Sequence, residues 1–237
     1  MAGFKTHITT SSILGVGYGT AAFTLYNVPL PTCLLATCLC GVSGMLPDLD
    51  SGPGRPLRES LAFAAAVVPM MLTHRFKHLG YTPETMVLLG AGIYLAIRFG
   101  GGWLLRHCTV HRGMFHSLPA ALIVTELTYL ICGHENEAPA HRLFNACAVL
   151  LGFMSHLVLD EIWSIDFRHA RLKSSFGTAM KLWGGRLWPN LITFGGAGLL
   201  TLMVLKEPDL PNPFSPTASG PSQVVKRVTA PSDTGWH

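Results

Sequence analysis

Apolar stretches long enough to cross a bilayer recur along the chain up to about residue 206, and they leave few folds open. A spanning helix needs about 20 mostly apolar residues, within a range of roughly 17–25. Inside lipid the backbone must satisfy its own hydrogen bonds, which a continuous apolar run does by coiling into a helix. The stretches run from about Ser11 to Leu30, Pro31 to Leu46, Ser60 to Thr73, Glu84 to Leu105, Ser117 to Gly133, Leu143 to Leu159 and Pro189 to Leu205. The second and third are short, so one of them could be re-entrant or could extend into its polar flanks. The expectation is an all-α, polytopic membrane helix bundle with six or seven transmembrane segments. Composition agrees: 13% of residues are charged, against about 25% in an ordinary soluble domain. Residues 1–206 read as one membrane-embedded domain. Residues 207–237, rich in Pro, Ser and Thr, read as a disordered tail.

The net charge of +4 is too mild to argue for nucleic acid, and none is expected as a partner. Where the charges fall says more. Alternating crossings put Lys5, Arg55, Arg58, Arg106, Arg112 and the basic stretch from Arg168 to Arg186 on one side. The other side holds fewer: Arg75, Lys77, Arg142, Lys206, Lys226 and Arg227. Lys and Arg favour the cytoplasmic side, so the first side is expected to face the cytoplasm. The six cysteines, Cys33, Cys38, Cys40, Cys108, Cys132 and Cys147, show no paired CxxC spacing. They suggest neither a zinc finger nor a disulfide framework, and read as small buried hydrophobes. Met1 to Thr10 lack the ordered regions of a cleaved signal peptide, so the first segment is expected to be retained.

Four short motifs carry the chemistry. They are Thr6-His7, Leu46-Pro47-Asp48-Leu49-Asp50, His111-Arg112-Gly113-Met114-Phe115-His116-Ser117, and Ser155-His156-Leu157-Val158-Leu159-Asp160-Glu161. The alternating topology lands all four on the side expected to be cytoplasmic, which no single motif required. His156 and Asp160 are one helical turn apart and share a helix face. Imidazole and carboxylate are ordinary ligands for zinc and related ions. Asp48 and Asp50 flank a turn where both could reach a shared ion or bridge two. His111 and His116 suit a loop folding over a metal, and Ser117 is placed to cap the following helix. Taken singly, an interfacial histidine or a Pro-Asp turn is bland. Ionisable groups in apolar segments are costly and functional by default. Arg98 falls under that rule too, and could snorkel or pair with Glu126.

These motifs, in this order over about residues 5 to 165, resemble the YdjM-like family of inner-membrane metal-dependent hydrolases, itself described as similar to zinc-dependent phospholipases C. The His-Arg-Gly-x-x-His-Ser string is the most specific part. The resemblance implies His7, Asp48, Asp50, His111, His116, His156 and Asp160 as metal ligands, and location in a bacterial inner membrane. Ser51, and Glu161-Ile162-Trp163 after the last aspartate, depart from the family pattern.

The reading is a metal-dependent hydrolase whose site lies at the cytoplasmic membrane–water interface. One or two divalent ions, zinc first with manganese or iron as alternatives, would activate water and polarise a phosphoryl or acyl oxygen. Asp48, Asp50 or Glu161 could act as general base, and Arg112 with Arg106 could hold a substrate phosphate. A phospholipid or lipid-linked phosphate in the lipid bilayer is the natural substrate. Two rivals are carried. An ion transporter would need more mid-membrane ionisable groups than Arg98 and Glu126. A non-catalytic metal-binding protein could dock a cytoplasmic partner of unknown identity, or anionic lipid, through Arg168 to Arg186.

Overall fold

A computed structural model describes residues 3–50, 54–103, 116–132, 139–166, 171–172, 180–185 and 187–207. Its helices are α1 (Phe4–Tyr26), α2 (Leu30–Ser43), α3 (Arg55–His78), α4 (Pro83–Leu95), α5 (Leu118–Ile131), α6 (Pro139–Trp163) and α7 (Leu187–Leu205). A 3₁₀ turn, Leu46–Asp50, follows α2, and a π turn, Ala96–Gly100, carries α4 onward. The fold is all-helical apart from two antiparallel two-residue strands, β1 (Ile165–Asp166) and β2 (Arg171–Leu172). Three helical stretches among the described residues are long and apolar enough to cross a membrane: Pro83–Trp103, Ala140–Trp163 and Leu187–Leu205. α2 and α5 are apolar but shorter.

The boundaries differ from the apolar runs for a physical reason. α1 begins at Phe4, ahead of the run from Ser11, because its polar first turns do not face lipid. His7, Ser11, Gly15, Gly19 and Ala22 recur at helical spacing and are all buried. α3 extends past both ends of its run, taking in Arg58 and Glu59 at one end and Arg75 to His78 at the other. α3 therefore starts directly after Gly54, ahead of its apolar run. Pro83 opens α4 at its first turn, where a missing N–H costs nothing.

α1 and α2 form a hairpin against which α6 packs, and α5 joins α6 to α7. α3 packs mainly on α4 and meets the rest of the bundle chiefly at the Leu46–Asp50 turn. The core is built of small residues. Ala36, Cys40 and Ala148 pack with Tyr18, Phe144 and Leu151 between α1, α2 and α6. Ala121, Phe153 and Leu157 close the α5–α6 contact. Cys33, Cys40 and Cys132 are buried as expected, whereas Cys38 is exposed. Large apolar side chains such as Val87, Leu88, Leu191 and Ile192 face outward from α4 and α7. Water would not tolerate so extended an apolar surface, and lipid does.

The bundle has two distinct ends. At one, the N-terminus of α1, the Leu46–Asp50 turn, the start of α5 and the C-terminus of α6 meet. At the other, Glu207 just beyond α7 accepts from Arg75 of α3 (2.9 Å) and from Arg142 of α6 (3.1 Å). Arg142 is 2% exposed; it also donates to the Tyr129 carbonyl and stacks over the Tyr129 ring. Glu207, the first residue of the expected tail, is thus tied to three helices. Burial pushes its carboxyl up, but the two guanidinium partners outweigh this and hold it below the ordinary value of 4.5. A folded-state value below the unfolded one contributes stability that is present above about pH 4.5 and fades as pH falls through the folded value. Melting temperatures in detergent should therefore drop on acidification below about pH 4.5, and Glu207→Gln should start lower at pH 7 and lose less on acidification.

Arg98 does not pair with Glu126. Arg98 lies in the π turn with its guanidinium 5.8 Å from the Phe99 ring. Glu126 is on α5 and accepts instead from the Thr201 hydroxyl of α7.

Candidate metal centre

His7 reaches the site from the first turn of α1, Asp48 from the 3₁₀ turn, His116 from just before α5, and His156 with Asp160 from successive turns of α6. They form two overlapping ligand groups, His7–His156–Asp160 and Asp48–His116–His156, whose ligand atoms within each group lie within 4.8 Å of one another. His7 Nε2 is 3.3 Å from Asp160 Oδ1. His156 Nε2 is 3.6 Å from Asp48 Oδ1 and 3.6 Å from Asp160 Oδ2. His116 Nε2 stands 3.6 Å from Asp48 and 3.9 Å from Asp160. The His7 ring stacks on that of His156, with centroids 3.6 Å apart.

The tautomer of His156 decides what the cluster suits. Its Nδ1 lies 2.7 Å from the carbonyl of Gly44. A carbonyl only accepts, so Nδ1 carries the proton. In the neutral ring Nε2 then has a lone pair and no hydrogen, yet it faces two carboxylates at 3.6 Å. Lone pairs converging at that distance need a proton or a metal cation among them. A ligating histidine typically donates its other N–H to a carbonyl or carboxylate in this way. Burial pushes the Asp48 carboxyl up, but the surrounding imidazoles of His116, His156 and His7 outweigh it and hold it below the ordinary aspartate value of 3.8. Asp48 is therefore ionised at neutral pH, as a ligand must be.

The Gly44 carbonyl is placed by close packing. A Cβ on Gly44 would run into the side chain of Ser11, and one on Gly152 would meet the Cys40 carbonyl and the Ser43 hydroxyl. Ser11 donates to the Gly41 carbonyl at 2.8 Å, tying α1 to the end of α2. Without side chains at these two positions, α1, α2 and α6 approach closely enough for Gly44 to reach His156. Ser117 caps α5 as its sequence position suggested, accepting from the Ala120 amide at 3.3 Å.

Of the residues singled out from sequence, His7, Asp48, His116, His156 and Asp160 come together. The backbone of Asp50 belongs to the same turn, but its side chain lies outside the described residues, as do His111, Arg112 and Arg106. Glu161 follows Asp160 and belongs to neither ligand group. Sequence reasoning did not find the Gly44 contact. Nor did it place Lys181, whose carbonyl accepts from the Leu118 amide at 3.2 Å beside the start of α5.

A family model described as YdjM inner membrane protein matches residues 1–189. The chain belongs to that family. Membership agrees with the apolar helices and makes this an inner membrane protein. The YdjM match takes in every residue of the cluster and ends in the first turns of α7. No curated protein and no solved structure matches the chain.

Proposed function

We propose that this protein is a membrane-bound, metal-dependent hydrolase. Its centre is formed by His7, Asp48, His116, His156 and Asp160, with Asp50 and His111 as further ligands. The observation that carries the reading is the buried cluster itself, in which His156 Nε2 lies 3.6 Å from each of two carboxylates while Nδ1 is held on the Gly44 carbonyl. The donor set of nitrogen and carboxylate oxygen suits zinc, with manganese or iron as alternatives, as one ion or two. The chemistry a divalent ion supplies in such a site is activation of water and polarisation of a phosphoryl or acyl oxygen.

The chain's own residues divide the remaining work. The Asp48 side chain is 24% exposed, against 6% or less for His7, His116, His156 and Asp160. Asp48 therefore marks the open side and is the carboxylate placed to take a proton from attacking water, with Asp50 and Glu161 as the other candidates. Arg112 and Arg106 lead into His116 in sequence and supply guanidinium groups suited to a phosphate. Depth supports a lipid substrate. Trp103, Trp163, Trp183 and Trp188 are all exposed. They sit where α4 and α6 end and α7 begins, at the same end of the bundle as the cluster. Tryptophan gathers at membrane–water interfaces, so a phospholipid or lipid-linked phosphate headgroup would lie level with the centre. The count of basic residues, taken with six or seven crossings, supports a cytoplasmic position for this end.

The test is elemental analysis of the detergent-purified protein, followed by turnover of a phosphodiester probe and of short-chain phospholipids. Near-stoichiometric zinc, manganese or iron with turnover is expected, and Asp48→Asn should cut turnover by about 10²–10⁴-fold. Bound metal without turnover of any phosphoester or ester would leave a structural centre. Absence of metal after reconstitution with all three ions would end the hydrolase reading.

A further inference from the structure

A second set of buried polar groups lies between α5, α6 and α7, away from the metal cluster. Arg142 fixes its level. Its guanidinium donates to the Tyr129 carbonyl at 3.4 Å and stacks 4.3 Å above the Tyr129 ring, so these residues face each other across the α5–α6 contact. The two helices run antiparallel. One turn back along α5 from Tyr129 is Glu126, and one turn forward along α6 from Arg142 is Asn145. Glu126 and Asn145 therefore stand at one level, within two turns of the helix ends that Arg142 and Glu207 mark.

All three side chains are more than nine-tenths buried: Glu126 is 8% exposed, Tyr129 4% and Asn145 1%. Glu126 Oε1 is engaged by Thr201 of α7 at 2.5 Å. Glu126 Oε2, the Tyr129 hydroxyl and Asn145 Oδ1 have no hydrogen-bond partner among the described residues. A buried polar atom left without a partner is costly, and in native proteins most such atoms are satisfied, by protein or by ordered water. Here the three residues that carry them fall within about a turn of one another along facing helices.

We propose that α5, α6 and α7 enclose a hydrated site near this end of the bundle, in which water bridges Glu126, Tyr129 and Asn145. Water is the ligand because the groups need opposite things. The Tyr129 hydroxyl needs an acceptor for its hydrogen, while Asn145 Oδ1 needs a donor. A water molecule supplies both and typically makes about three such bonds. A bare cation would leave the tyrosine hydrogen unmet and would sit near the Arg142 guanidinium. A lipid chain would satisfy none of the three. The bundle is then polar next to the Arg142–Glu207 pair as well as at the metal centre, and Glu126 is the ionisable group in contact with that water.

The test is X-ray radiolytic labelling of the full chain in lipid nanodiscs, read residue by residue by mass spectrometry. Radicals formed from bound water oxidise the side chains beside it. Tyr18 is the internal control: it too lies in the bundle, but its hydroxyl donates to the Phe144 carbonyl at 3.1 Å. Tyr129 should label several-fold faster than Tyr18, and Asn145→Val should slow Tyr129 while leaving Tyr18 unchanged. Equal rates at Tyr129 and Tyr18 in the wild type would overturn the proposal whatever the variant does. Labelling of Tyr129 in choline buffer that vanishes in sodium buffer would overturn it in favour of a bound monovalent cation.

Discussion

Replacing Gly152 by valine should prevent accumulation of folded protein, or lower its melting temperature more than any other single change to the apolar part of the bundle. The new Cβ would meet the Cys40 carbonyl and the Ser43 hydroxyl at the end of α2. Overpacking a core costs typically about 1–3 kcal/mol. Here the obstacle is backbone rather than the tip of a flexible side chain, so the cost falls at or above the top of that range. Valine cannot be accommodated unless α2 and α6 separate, and separation draws the Gly44 carbonyl away from His156. Gly195→Val is the control. Gly195 lies in α7 with nothing within 4 Å of an added Cβ, and removing a helical glycine is otherwise favourable by up to about 1 kcal/mol. Its melting temperature in detergent should match or exceed that of the wild type. A Gly152→Val protein that melts with the wild type would show that the three helices are not in close contact.

Loss of the metal should be the second large effect. A ligand that binds only the folded state stabilises it by RT ln(1 + [L]/Kd), about 2.7 kcal/mol at a hundredfold excess over Kd. Wild-type protein with excess zinc should therefore melt well above the same protein after chelation. His156→Ala removes the ring common to both ligand groups, so its melting temperature should not respond to zinc, and its bound metal should fall to background. Elemental analysis and melting curves with and without chelator check both points. A wild type whose melting ignores zinc, manganese and iron alike would remove the centre from consideration. Gly44 supplies only the carbonyl behind His156, and loss of such an outer partner costs about 10–100-fold in metal affinity. A variant displacing it should weaken the metal yet still respond at higher concentration.

What could be read from the sequence follows from which atoms do the work. His7, Asp48, His116, His156 and Asp160 act through side chains unusual in apolar helices, and alternating crossings bring their motifs to one end. The contacts that hold them act through backbone atoms and absent side chains. Nothing in the letters around Gly44 or Gly152 distinguishes a required close approach from an ordinary small residue. The Arg75–Glu207–Arg142 group was hidden for another reason. Its members belong to segments far apart in sequence, and Glu207 follows the last apolar run, where composition reads as the start of a tail. The ends of α1 and α3 were missed because an apolar run stops where polar residues begin, whereas a helix continues when those residues face a neighbour, as His7 and Ser11 do.

His7 lies near the beginning of the chain, and Asp160, its partner at 3.3 Å, lies near the end of α6. During synthesis the first helix must wait in the bilayer, its imidazole uncommitted, until α6 has been made and inserted beside it. An ion that needs both ligands could be captured only after that step. On the proposed reading, metal loading would then signal that membrane assembly has reached α6, and a chain truncated before Asp160 should emerge from the ribosome with half a centre and no means of closing it.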